Sequence, residues 1–142
     1  DYGGILKTIP IYGSLFLVIV LSSIGLPGLN GFIGEFMILI GSFNSPLLHN
    51  HTYTIAATTG VVLSAVYLLW MYQRVLLGPI TKEENKTIPD LNFREIFASS
   101  LLLIFIIWIG VYPNTFLSKS EASVKKLIEN VETAKRNLLK TP

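Results

Sequence analysis

Ile24-Gly25-Leu26-Pro27-Gly28-Leu29-Asn30-Gly31-Phe32-Ile33-Gly34-Glu35 is the stretch that decides how this chain folds. Apolar residues run on both sides of it, and its own residues cannot sustain a helix. Pro27 removes a backbone donor and clashes with the preceding turn. Gly25, Gly28, Gly31 and Asn30 fall in the same break. From Thr8 to His51, Glu35 is the one acid, and no Lys or Arg accompanies it. A carboxylate at bilayer depth costs a few kcal/mol even on lenient insertion scales, so a chain that keeps one there either shields it or uses it. A broken helix beside a buried acid is a recurring construction of ion-translocating membrane proteins.

Composition agrees with a membrane setting. Of the 142 residues, 51% are hydrophobic and 14% charged, against about a quarter charged in a soluble domain. The mean hydropathy is positive. The apolar residues form long blocks, the pattern of spanning helices. Cysteine is absent, so this chain holds no disulfide and no thiolate-ligated cluster. A net charge of +2 is too small to suggest nucleic acid. The opening Asp1-Tyr2-Gly3-Gly4 reads as a loop entered from upstream, and the chain is expected to be the C-terminal part of a longer protein.

The expected fold is an all-α membrane protein with three transmembrane helices, the first discontinuous around Gly25–Gly31, and a C-terminal amphipathic surface helix. Thr8 is a candidate cap and Pro10 suits a first turn. Residues 9–43 as one straight helix would run roughly 50 Å against a hydrocarbon layer of about 30 Å. Two full spans and a turn would need more residues. One interrupted span fits, with halves from Ile9 to Ile24 and from Phe32 to Phe43. A polar loop, Asn44 to Thr52, carries Pro46, His49 and His51. The second span covers residues 53–77, with Tyr53 at one end, Trp70 and Tyr72 near the other, and Arg74 placed to snorkel. Gly78-Pro79 stops it. A charged loop leads to the third span, residues 96–112. These parts make one domain, residues 1–116. Residues 117–142 form the tail, where apolar positions at helical spacing alternate with nine charged ones up to Lys140.

Charge sets the expected orientation. Arg74, Lys82, Lys86 and Arg94 flank the second loop, and no Lys or Arg stands in the first. The positive-inside rule puts residues 78–94 on the cytoplasmic side and the tail outside. The six basic residues of the tail oppose that assignment.

Two readings of Glu35 stand side by side. In one it is a protonatable station that modest changes in neighbouring charge load or empty. In the other it is hydrogen-bonded to the broken backbone and holds the kink. Gly31, Gly34 and Gly41 also suit close helix packing. Ser22, Ser23 and Ser42 are candidate water contacts, or bond their own backbone. His49 and His51 lack a third ligand and make a weak metal site. Asn85-Lys86-Thr87 and Asn50-His51-Thr52 match the glycosylation sequon by chance. No phosphate loop, nucleophile–base set or dinucleotide fingerprint is present, so no catalytic, cofactor or metal residue is assigned.

The run Ser23 to Phe36, ending in Leu39-Ile40-Gly41-Ser42-Phe43, resembles the proton-translocating, antiporter-like membrane subunits of respiratory complex I, and most of all their M-type (chain 4) branch. Ala65-Val66-Tyr67-Leu68-Leu69-Trp70-Met71-Tyr72-Gln73-Arg74 followed by Gly78, and Asp90-Leu91-Asn92-Phe93-Arg94-Glu95 leading to Gly110-Val111-Tyr112-Pro113, agree in the same order. The resemblance implies fourteen spanning helices, of which these are the last three. It implies that Glu35 stands at the end of the subunit's proton path, towards the outer exit; sister subunits usually carry lysine there. It implies further path residues on earlier helices, a lysine and a lysine–glutamate pair. It puts the tail outside, bracing adjacent membrane-arm subunits. NAD, FMN, iron–sulfur clusters and quinone are expected in partner subunits. The setting is a bacterial plasma membrane or an organellar energy-transducing membrane. A multisubunit sodium/proton antiporter or a membrane-bound hydrogenase uses similar subunits, and a structural membrane spacer is the other alternative.

Overall fold

The computed structural model describes residues 3–45, 51–80 and 82–138. The described residues are helical, without strands. Five α-helices follow in order: α1 Pro10–Ser23, α2 Asn30–Phe43, α3 Thr52–Leu76, α4 Phe93–Val111 and α5 Asn114–Leu138. Short 3₁₀ turns precede α1, at Ile5–Lys7, and α4, at Glu83–Lys86.

The break falls where the glycines and proline put it, with α1 ending at Ser23 and α2 starting at Asn30. The outer bounds move by one residue for α1, α3 and the end of α4, and by two or three at the starts of α2, α4 and α5. α4 begins early for a local reason. The Asn92 carbonyl accepts the Ile96 N–H at 2.9 Å, and the Glu95 carboxylate reaches back to the Asn92 N–H at 2.7 Å. The first is the opening bond of the helix, and the second is half of a capping box, the glutamate at the third helical position serving the N–H before the helix.

α3 and α4 are long and apolar enough to cross a membrane. Only 6% and 0% of their most apolar windows are buried within the chain, so neither is the core helix of a soluble domain. α1 and α2, with 14 residues each, reach about 21 Å apiece and are too short to span alone.

The two halves run end to end beside α3, in the opposite direction. At one end Phe43, closing α2, stacks on His51 at 4.3 Å, just before α3. At the other end the Tyr72 hydroxyl of α3 donates to the Gly13 carbonyl of α1 at 3.2 Å. Both halves also touch α4. A small core of Ile5, Ile9, Val20, Tyr72 and Leu76 binds α1 to α3. Gly4, with φ +67°, lies on the Gly78–Ile80 backbone and donates to the Leu77 carbonyl at 3.0 Å.

Residues 112–142 form a separate unit. Within it α5 is a single 25-residue helix. Glu121 and Lys125 pair at 2.6 Å, acid before base at i,i+4, the favourable order. Lys135 and Arg136 stand in the last turn, where the helix dipole favours cations.

Candidate functional site at the helix break

The break is built from two stacked backbone motifs. Gly25, with φ +79°, donates to the Ser22 carbonyl at 3.1 Å, and Leu26 donates to the Leu21 carbonyl at 3.1 Å. That pair is a Schellman cap with Gly25 in the left-handed position. The chain then turns through Pro27 and Gly28, φ +94°, and Leu29 donates back to the Leu26 carbonyl at 3.1 Å. Proline second, glycine third with positive φ, and a first-to-fourth hydrogen bond is the pattern of a type II turn. Leu29 is extended and α2 starts at Asn30.

Side chains tie the halves together. The buried Ser22 hydroxyl donates to Asn30 Oδ1, joining the end of α1 to the start of α2. Gly31 lies so close to the Ser22 carbonyl that an added Cβ would collide with it. Ser23 bonds its own helix, donating to the Ile19 carbonyl at 3.0 Å. Ser22, Ser23, Asn30, Gly31, Ile19 and Ile106 line a cavity of about 250 Å³ beside the break. Its volume has room for several waters.

Glu35 stands one turn into α2 and folds back over this break. Its carboxylate is seated against the α-carbon face of Gly25: a Cβ built there would strike Oε2 and lie 3.1 Å from Cδ. The structure therefore brings Glu35, Gly25, Gly31, Asn30 and Ser22 into one place. Pro27 and Gly28 close the turn on the far side, where nothing stands within 4 Å of a Cβ on Gly28. Among the described residues, the hydrogen bonds that close the break run between its own backbone groups and between Ser22 and Asn30.

α4 completes the site. Gly110 packs directly on the backbone of Gly28 and Leu29; a Cβ there would lie 2.5 Å from the Leu29 α-carbon. The crossing is a close approach of helix to irregular backbone, of the kind small residues permit in membranes.

Thr8 does not cap α1. The N-cap position is Ile9, with no side-chain cap of its own. The cap comes from Asp90, far along the chain, whose carboxylate accepts the Ile11 N–H at 2.8 Å and the Tyr12 N–H at 3.1 Å. It also accepts the Leu91 N–H at 2.8 Å. Desolvation pushes the Asp90 pKa up, but the three N–H groups together hold it below the ordinary carboxylate value. A lowered folded-state pKa means that the cap is fully formed above the ordinary carboxylate range and is lost as pH falls through the lowered value. No local signal in the sequence marks Asp90 for this task.

Asn85 is buried, at 5% exposure. Pro46, His49 and Asn50, hence the histidine pair and the second sequon, fall outside the described residues.

Two half-helices joined by a glycine–proline break, with an acid folded over it, lie beside two helices long and apolar enough to cross a membrane. The chain belongs to the family described as NADH:quinone oxidoreductase/Mrp antiporter, transmembrane, which matches residues 1–72. It is 38% identical over 129 residues to NADH-ubiquinone oxidoreductase chain 4 of Marchantia polymorpha, covering 91% of this chain and 25% of that protein. It is 39% identical over 129 residues to NADH-quinone oxidoreductase subunit M of Rhodobacter capsulatus, covering 91% and 24%. Subunit M of Mycobacterium tuberculosis is 40% identical over 134 residues, covering 92% and 23%. The chain thus spans about a quarter of the length of these relatives.

Proposed function

We propose that this chain is part of a proton-translocating membrane subunit of an NADH:quinone oxidoreductase, with Glu35 as a station on its proton path. Electrons pass from NADH to quinone in partner subunits, which hold the FMN and iron–sulfur clusters. Charge changes along the membrane arm load and empty Glu35.

The observation that carries the reading is the seat of Glu35. Its carboxylate lies on the Gly25 face of an interrupted helix, at a break whose Ser22 and Asn30 also line a cavity. A kink-holding acid would be bonded into the break. Here, among the described residues, the break closes through its own backbone bonds and the Ser22–Asn30 bond. The relatives' names add the redox coupling, and they favour an NADH:quinone oxidoreductase over an antiporter or a hydrogenase.

Three spans fit the geometry: α1 and α2 as one interrupted span, then α3 and α4. Arg74 lies over the Trp70 ring at 5.1 Å, an aromatic–basic pair suited to the cytoplasmic interface. α4 starts beside the basic loop and meets the break near its far end, at Gly110. That supports Glu35 lying towards the outer side, with residues 78–94 cytoplasmic. α5 would then lie outside as an amphipathic surface helix against neighbouring membrane-arm subunits.

The test is Glu35→Gln in the whole protein, read as protons moved per electron in sealed vesicles. Glutamine keeps the size and removes the titration. The expected result is a loss of this subunit's share of pumping, with the complex assembled and electron transfer retained. A normal ratio in well-assembled complex would remove the relay role and leave the spacer reading.

A further inference from the structure

We propose that Asp90 is a positioning residue for the proton station, anchoring the N-terminal end of α1 so that the break at its other end keeps Glu35 seated; this rests on the proton-path reading of Glu35. One continuous segment holds α1 at both ends. At the start, Asp90 accepts the Ile11 and Tyr12 N–H groups, at 2.8 and 3.1 Å. At the finish, Gly110 lies on the Gly28–Leu29 backbone that follows α1. Residues 90–110 thus act as a clamp whose jaws are an acid and a glycine, with α4 as the rigid bar between them.

The need for the first jaw is visible in α1 itself. Its N-cap is Ile9 and its first residue Pro10, so no side chain of its own serves the free N–H groups. Unserved donors at a helix start are costly, and more so near lipid. A carboxylate suits the positive end of the dipole as well. Without Asp90, the first turn of α1 loses its cap and frays, and the helix is held by its packing on α3 and the Tyr72–Gly13 bond. Its C-terminal end carries the Ser22–Asn30 bond, and the Gly25 face that seats Glu35 follows directly. The loop before α4 is thereby linked mechanically to the acid at the break. Leu91 N–H, at 2.8 Å, fixes the Asp90 rotamer from its own side.

The experiment compares Asp90→Ala, Asp90→Asn and Glu35→Gln in the complete enzyme in sealed vesicles. Electron transfer, protons moved per electron and the amount of assembled complex are all recorded. Asp90→Ala is expected to cut this subunit's share of the pumping by about fivefold, the factor a lost cap typically corresponds to, and never by more than Glu35→Gln does, while electron transfer continues. Asp90→Asn is expected to be damaged less than Asp90→Ala, because its single amide oxygen can still accept from α1, although it replaces only one of the two carboxylate oxygens that take the Ile11 and Tyr12 N–H groups. If Asp90→Ala does not accumulate, Asp90→Asn against Asp90→Gln decides, since glutamine carries its oxygen one methylene too far. A normal ratio in assembled Asp90→Ala, or Asp90→Asn as damaged as the non-capping variant, overturns the proposal. If Glu35→Gln itself pumps normally, the reading of Glu35 has failed. If only Glu35→Gln is impaired, the clamp alone has failed.

Discussion

Gly25→Ala is expected to impair proton transfer about as severely as loss of the Glu35 carboxylate. Two effects act at that one atom. Gly25 sits at φ +79°, where an L-residue with a Cβ costs about 1–2 kcal/mol. The new methyl would also occupy the place of the Glu35 carboxylate. Either the Schellman cap opens or Glu35 leaves its seat, and both displace the acid from the break. A disturbance of about 1.4 kcal/mol corresponds to tenfold in rate, and the two effects together exceed it. Gly28→Ala is the control. It has a similar φ of +94°, but no atom stands within 4 Å of its Cβ. It bears the backbone strain alone and is expected to retain most of the pumping. The measurement is protons per electron in vesicles for both variants, alone and combined with Glu35→Gln. In the Glu35→Gln background Gly25→Ala should add little. Equal damage from the two alanines would mean that strain, not the seat of Glu35, accounts for the effect.

What the sequence made legible here was what short-range chemistry determines. Gly25, Pro27, Gly28 and Asn30 mark the break because a Schellman cap and a type II turn have local requirements for positive φ and for a fixed φ at proline. The apolar blocks give α3 and α4 within a few residues, since hydrocarbon thickness sets their length. The early start of α4 was also written locally, in Asn92 and Glu95. What was illegible is the set of contacts across long stretches of chain. Asp90 reads as one charge among many in a charged loop, and only the fold brings it to Ile11 and Tyr12. Thr8, by contrast, looks like a cap and is not one, because the chain enters α1 through Ile9. Gly110 reads as an ordinary packing glycine within an apolar helix. Its partner, the backbone of Gly28 and Leu29, follows only from how α4 crosses the break.

Gly110→Val should prevent stable packing of α4 and lower the amount of assembled protein more than any single change in the loops. In an exposed helix, replacing glycine with alanine gains up to about 1 kcal/mol of helix propensity. At position 110 that gain is outweighed. Even the first carbon added would meet the Gly28 carbonyl and approach the Leu29 α-carbon to 2.5 Å. Those neighbours are backbone, held by the turn between Leu26 and Leu29, and cannot rotate away. Overpacking of this kind costs typically 1–3 kcal/mol, and the two further methyls of valine put it at the upper end. Within lipid the loss is not recovered by hydrophobic burial, because helix association there depends on close packing itself. Gly110→Ala should give an intermediate defect, graded with volume. Gly31→Ala, whose Cβ would meet the Ser22 carbonyl, should resemble it by prying the two halves apart. The measurement is the quantity and thermal stability of detergent-extracted complex across the series. A Gly110→Val protein that assembles and withstands heating like the parent would show that α4 does not seat on the break, and would remove one jaw of the clamp with it.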